Sequence, residues 1–210
     1  GGAAVGPNIV SALSKTAGNE KIDIRKGTKA IALVKGKNRI VGVKVREIDG
    51  KEYTIKAKAV IVATGGFGAN AKMVEKYNPK LKGFGSTNNP AIVGDGIVMI
   101  EKVGGALIDM DQIQTHPTVV HKKTNMITES VRGEGAILVN RDGKRFIDEL
   151  QTRDVVSKAI LSQKGKSAFL IFDEDIRTKL KAADGYVKKG FAVEGTLEEI
   201  AAKIGTDAKT

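Results

Sequence analysis

A mixed α/β fold, of the α+β kind, is predicted by three patterns in the sequence. Valines alternate with small or charged residues from Val41 to Val45. A continuous apolar run fills Ala59 to Ala63. Several separate segments carry apolar residues at helical spacing.

Taken in order, Pro7 to Thr16 reads as a helix. Ile9, Val10 and Leu13 form its apolar stripe, and Pro7 suits a first helical turn. Ile22-Asp23-Ile24, Ala30 to Val34, Val41 to Val45 and Tyr53 to Ile55 read as short strands. Lys35-Gly36-Lys37-Asn38 and Asp49-Gly50 supply turns between them, so the stretch is expected to form a small antiparallel meander. Ala59-Val60-Ile61-Val62-Ala63 suits a strand buried on both faces, as in a parallel sheet. It runs into Thr64-Gly65-Gly66-Phe67-Gly68, where glycines let backbone approach a ligand or simply make a tight turn.

Asn70 to Tyr77 is expected as a short helix stopped by Asn78-Pro79. Ser86 to Gly94 reads as a loop, and Asp95 to Val103 as a helix closed by Gly104-Gly105. Periodicity then lapses from Gln112 to Val131. Ala136 to Asn140 and Lys144 to Ile147 read as a hairpin about Arg141-Asp142-Gly143. Thr152 to Gln163 is a predicted helix with Val155, Val156, Ala159 and Ile160 on one face. Ala168 to Phe172 follows as a buried strand. A last helix, Thr196 to Ile204, has a threonine cap and glutamates in its first turn. The change of character places a boundary near Asp111, dividing the chain into 1–111 and 112–210.

Composition narrows the possible functions. No apolar run approaches the roughly 18–20 residues that span a bilayer, so no membrane span is expected. The absence of cysteine excludes disulfides, thiolate metal sites and cysteine nucleophiles. It leaves the compartment open between cytoplasm and export. The start lacks both an initiator methionine and the basic and apolar regions of a secretory signal, so the chain is read as processed or cut from something longer. A net charge of +11 suits an electropositive funnel for an anion, a nucleic-acid surface or a solvated lysine-rich face. The lysines are dispersed, and the few aromatics do not interleave with them. That favours the solvated face, and no nucleic-acid partner is expected.

The chemistry concentrates in three short runs. These are His116-Pro117-Thr118, Thr128-Glu129-Ser130-Val131-Arg132-Gly133 and Thr152-Arg153-Asp154. Arginine offers a planar fork that matches a carboxylate, and a glutamate beside arginines can pass protons. The set suits gripping a small dicarboxylate and protonating it. Plainer readings stand beside this one. His116 could be a loop histidine bonded to backbone, and Arg153-Asp154 could merely open a helix. Glu129 and Arg132 could be a surface ion pair contributing under about 1 kcal/mol. Lys144-Arg145 reads as a solvated turn and His121 as a surface residue. His116 and His121 lack helical spacing and a third ligand, so no metal is expected.

The succession of motifs resembles the flavoprotein subunits of the fumarate reductase and succinate dehydrogenase superfamily, in particular its soluble, flavocytochrome-like branch. The resemblance rests on Val60 to Phe67, Ser86-Thr87-Asn88, Gly94-Asp95-Gly96, Gly104-Gly105-Ala106 and Gln114 to Thr118. The run from Thr128 to Glu149 and then Thr152-Arg153-Asp154 continue it. It implies FAD as cofactor and an internal fragment of the enzyme. Residues 1–111 would be the later part of the flavin domain, and 112–210 most of the domain that caps the substrate. The glycine fingerprint for the flavin pyrophosphate and a final substrate-binding segment are not found in the sequence.

By the same resemblance, hydride passes from the reduced flavin to fumarate. Arg153 is implied as proton donor, with Glu129 and Arg132 relaying protons to it. His116, Thr128 and Glu129 are implied at the substrate. Thr64, Gly65 and Gly66 are implied at the adenine-ribose or pyrophosphate side of FAD. Ser86, Thr87, Asn88, Gly94 and Asp95 are implied toward the isoalloxazine ring. Sister activities remain as alternatives: reduction of urocanate or another enoate, or 3-ketosteroid dehydrogenation. A non-catalytic fragment or basic interaction module is the alternative from another class. The pairing of Thr128-Glu129 with His116 leans toward fumarate. The electron donor is not indicated.

Overall fold

A computed structural model of the chain describes residues 5–120 and 123–209. It is mixed α/β with small antiparallel sheets, in two compact units that divide between Ile113 and Gln114.

The first unit opens with α1 (Val5–Asn19), which buries none of its residues; the stripe of Ile9, Val10 and Leu13 stays exposed. Ile22 and Ile24 form no strand and are also exposed. The expected meander is present as β1 (Thr28–Lys35), β2 (Ile40–Glu47) and β3 (Glu52–Lys56), antiparallel in the order β1-β2-β3. Leu33 lies opposite Val43, and Val43 opposite Ile55, so the alternating residues meet across the ladder. Val45, opposite Ala30 and Tyr53, is buried.

Beyond the meander, α2 (Ala71–Tyr77) is started by Asn70. Its side-chain oxygen accepts the Met73 N–H at 3.1 Å, and its amide donates to the Val93 carbonyl at 2.9 Å. One asparagine thus caps a helix and fastens the loop before the next. That next helix, α3 (Asp95–Lys102), begins at Gly94 and buries Gly96 and Met99.

The strand expected over Ala59 to Ala63 is not formed. This segment carries no sheet pairing, and Ile61 is 91% exposed. A strand buried on both faces needs hydrogen-bonded neighbours on either side. Among the described residues none occupies either flank.

The second unit begins with a loop that folds back on itself. Val119 bridges Met126, and the Thr118 hydroxyl donates to the Ile127 carbonyl at 2.8 Å. Then come α4 (Glu129–Gly133), β4 (Ile137–Val139), α5 (Arg153–Ser162) and β5 (Phe169–Ile171). β4 pairs antiparallel with β5, not with residues 144–147. The turn at Asn140 is real, with Asn140 N–H donating to Lys144 O, but only Arg145 bridges back to Val139. Phe146 and Ile147 leave the ladder to pack on Leu138, Val156 and Ile160. Burial of two large side chains outweighs a short hairpin.

Three more helices close this unit: α6 (Glu174–Lys179), α7 (Lys181–Lys188) and α8 (Leu197–Ile204). The last has a full capping box between Thr196 and Glu199. The first two were not foreseen. Ile176 and Ala183 from them join Val131 and Ala136 in a second core cluster. Leu170 of β5 packs against both clusters. No described helix is long and apolar enough to cross a membrane.

Candidate active site

Two helix starts place the charged residues of the second unit. Thr128 and Thr152 both occupy N-cap positions in extended backbone. Each is followed at once by a functional candidate, Glu129 opening α4 and Arg153 opening α5. A glutamate in a first turn is favoured by the helix dipole, whereas an arginine there is not. Arg153 is compensated by Glu129: its Nε donates to Glu129 Oε1, and its Nη2 forms an ion pair with the same oxygen. Its Nη1 donates to Gln114 Oε1 at 2.5 Å.

His116 adds a third group. Its Nε2 lies 3.1 Å from Glu129 Oε1, although the angle makes no hydrogen bond and, among the described residues, this buried nitrogen has no other partner. The other ring nitrogen, Nδ1, sits 3.1 Å from Thr118 O and accepts the Thr118 N–H at 3.3 Å. The ring is therefore fixed from behind while Nε2 faces Glu129. Thr128 stands beside the group; its N–H donates to the Tyr186 hydroxyl, and its own hydroxyl accepts from Ser130.

Burial works against ionisation of Glu129, but its own backbone N–H, His116 and Arg153 prevail and hold its carboxyl below the usual range. Arg132, 5% exposed, is lowered as well, which for a guanidinium works against its charge. Burial lowers its pKa, and the charge of Arg153 adds to this, against the opposing pull of Glu129 and Glu149. Two guanidiniums near one carboxylate leave the cluster positive, which suits an anion.

Arg132 does not bond to Glu129. Its Nη1 donates to the Glu149 carbonyl at 2.5 Å, and its Nε has no partner. Three participants were missed in the sequence. Gln114 shares a face with His116 in the Gln114-Thr115-His116 run, since alternate residues of an extended segment point the same way. Arg145, read as part of a solvated turn, grips Glu149. Glu149 itself is 3% exposed, and only the i,i+4 relation to Arg145 could have drawn attention to it. His121 lies outside the described residues.

The flavin-side candidates lie in the first unit. Gly96 can carry no side chain, because a Cβ there would stand 2.1 Å from Thr64 Oγ1 and 2.6 Å from Val62 Cγ1. Gly68 is similar, since a Cβ there would lie 2.3 Å from Asn88 Nδ2. These close approaches bring Thr64, Gly65 and Gly66, the Ser86-Thr87-Asn88 loop and the start of α3 into one patch. Ser86 Oγ accepts both the backbone and side-chain N–H of Asn88, shaping that loop. Asp95 departs from the patch: its carboxylate pairs with Lys29 at 2.9 Å.

The patch meets the needs of a dinucleotide. Among the described residues, no backbone N–H from Val60 to Gly68 donates within the chain. No atom lies within 4 Å of where a Gly66 Cβ would stand. Open backbone amides at a glycine pair are what phosphate or ribose oxygens use.

A model of the FAD binding domain family matches residues 2–208. The chain belongs to that family. It is homologous to FAD-dependent fumarate reductases: it is 48% identical over 211 residues to a fumarate reductase (cytochrome) of Shewanella frigidimarina, covering all of this chain and 37% of that protein. An NADH:fumarate oxidoreductase of Klebsiella pneumoniae (strain 342) is 41% identical over 207 residues, covering 98% of this chain and 22% of its own length. Among solved structures, the open conformation of a flavocytochrome c3 fumarate reductase superposes with a TM-score of 0.77 at 39% identity, over 100% of this chain and 37% of that one. The chain thus spans well under half the length of these family members.

Proposed function

We propose that the chain is the central part of an FAD-dependent reductase of fumarate. In this reading residues 1–111 belong to the flavin domain and 112–210 to a domain capping the substrate. The observation that carries it is the grip of Glu129 and Gln114 on Arg153 beside a partnerless His116 Nε2.

Bound FAD, when reduced, supplies the hydride that one alkene carbon of fumarate receives. The protein's own residues do the rest. His116 Nε2 donates to a substrate carboxylate, with the Thr128 hydroxyl as a second polar contact. Arg153 gives a proton to the other alkene carbon. Guanidinium ordinarily keeps its proton, but the carbon left by hydride addition is strongly basic and takes it. Glu129, a carboxylate at rest and in contact with Arg153, first takes up a proton passed on by Arg132 and then hands it to the neutral guanidine, with Arg132 recharged from solvent. Hydride on one carbon and proton on the other give succinate. Thr64, Gly65 and Gly66 offer backbone to the phosphate or ribose side of FAD, with Ser86, Thr87, Asn88 and Gly94 toward its ring.

The test is oxidation of reduced viologen by the flavin-loaded full-length protein, with fumarate and urocanate as acceptors in parallel. Turnover confined to fumarate is expected. Preference for urocanate, or no turnover of either, overturns the reading.

A further inference from the structure

We propose that Glu149 is a positioning residue for Arg132, clamped in place by Arg145 and the backbone of β4. Its catalytic consequence rests on the fumarate reductase reading above; its structural content does not.

Arg132 is nearly buried, and a buried guanidinium needs acceptors for its five donors. Among the described residues its acceptor is the Glu149 carbonyl, reached by Nη1 at 2.5 Å, while Nε has none. The direction of this side chain is therefore set by where the Glu149 backbone stands. That backbone is held by its own side chain. Glu149 Oε1 accepts the Leu138 N–H at 2.7 Å, from a residue 2% exposed in β4. Arg145 closes the other side, with Nη2 2.6 Å from Oε2 and Nε 3.1 Å from both oxygens. This is a planar fork on a carboxylate, a geometry that fixes direction as well as distance.

The bonds form one line. The β4 backbone holds the Glu149 carboxylate, and the Glu149 carbonyl holds Arg132, one turn of α4 beyond Glu129. Arg145 is the outer end, its side chain 57% exposed against 4% for Glu149. Glutamate is required because it alone combines an acceptor for Leu138, a charge for Arg145 and the reach to meet both. Glu149 also precedes Arg153 by only four positions, so the same clamp steadies the start of α5.

Two variants and two readouts test this. Glu149→Gln keeps an acceptor for Leu138 but loses the charge, and Arg145→Met removes the clamp from the exposed side, where folding is least at risk. In the full-length protein, nitrogen-15 NMR of the Arg132 side chain reads hydrogen exchange. Both variants are expected to exchange faster than the parent, about tenfold for a guanidinium released from its acceptor. In the flavin-loaded full-length protein, kcat for fumarate should fall about 10- to 100-fold in Glu149→Gln, the cost of a small misplacement. KM should stay near the parent value, because His116 and Thr128 are untouched. Unchanged exchange in both variants overturns the proposal, as does a parallel loss of kcat, KM and flavin content. Absence of fumarate turnover in the unmutated protein would overturn the fumarate reading instead, and the exchange measurement would still decide the role of Glu149.

Discussion

Arg153 directs two of its nitrogens onto a single oxygen of Glu129, a residue 24 positions earlier in the chain. The same oxygen stands 3.1 Å from His116 Nε2. One carboxylate oxygen therefore serves two groups to which the proposed mechanism gives different tasks, one to bind substrate and one to protonate it. The arrangement also explains how Arg153 can sit at the start of a helix, where its charge is otherwise disfavoured.

Removing that guanidinium should stop the reaction without disturbing the cofactor. Arg153→Ala in the full-length protein is expected to lower kcat for fumarate by about 10²–10⁴-fold, the range for a lost proton donor. Flavin absorbance after desalting should equal that of the parent, since the flavin candidates lie in the other unit. Arg153→Lys should recover little, because an ammonium cannot meet Glu129 and Gln114 as a fork does. Turnover retained in Arg153→Ala would remove this residue from the mechanism.

Glu129 carries a prediction about pH. Its carboxyl is held below the usual range, so it remains ionised well past neutrality toward acid. A limb of the kcat/KM–pH profile, which reports the free enzyme, that belongs to Glu129 must lie below the ordinary glutamate value of about 4.3. Any limb between pH 6 and 8 belongs to another group and should survive in Glu129→Gln, at a rate lowered about 10²-fold. Disappearance of a neutral limb in that variant would contradict the assigned ionisation.

The two glycines of the flavin patch should respond differently. A Cβ at Gly96 meets Thr64 and Val62, so Gly96→Ala should cost stability, about 1–3 kcal/mol for overpacking. At Gly66 the added methyl meets nothing, so Gly66→Ala should leave the thermal midpoint unchanged. Flavin titration of the full-length protein should nonetheless show weaker binding in Gly66→Ala, because the methyl stands over the open amides. Equal flavin affinity there would mean that this glycine does not face the cofactor.

Much of this was legible in the sequence, and the failures have physical reasons. The meander was readable because Val41, Val43 and Val45 alternate about clear turns, and α8 because Thr196 and Glu199 announce its start. Ala59 to Ala63 read as a strand from composition alone, but a strand needs neighbours, and composition does not report whether they are present. The partner of β4 was misread because Phe146 and Ile147 are as suitable for a core as for a ladder. α6 was signalled by Asp173 before an acidic first turn, and its cap accepts from Ile176 at 3.0 Å, but its shortness hid it. At the site, His116, Glu129 and Arg153 were found because their residue types are chemically conspicuous. Glu149 was not, because its work is done by a carbonyl and by a carboxylate turned inward.

That inward carboxylate should also register in acid stability. Burial pushes the Glu149 carboxyl up, but the Arg145 guanidinium and the Leu138 N–H outweigh it, so its folded pKa lies below the ordinary value. A group depressed on folding contributes stability above its unfolded pKa, and that contribution fades as pH falls through the folded one. Glu149→Gln should therefore be less stable than the parent at pH 7, by about 1 kcal/mol, the low end for charge-assisted bonds because Arg145 is largely solvated. The gap should hold down to about pH 4.3 and narrow below it. Urea midpoints of both proteins across pH 3 to 7 measure it. A gap that stays constant over that range would mean the Glu149 carboxylate is not held in its charged form by Arg145 and β4.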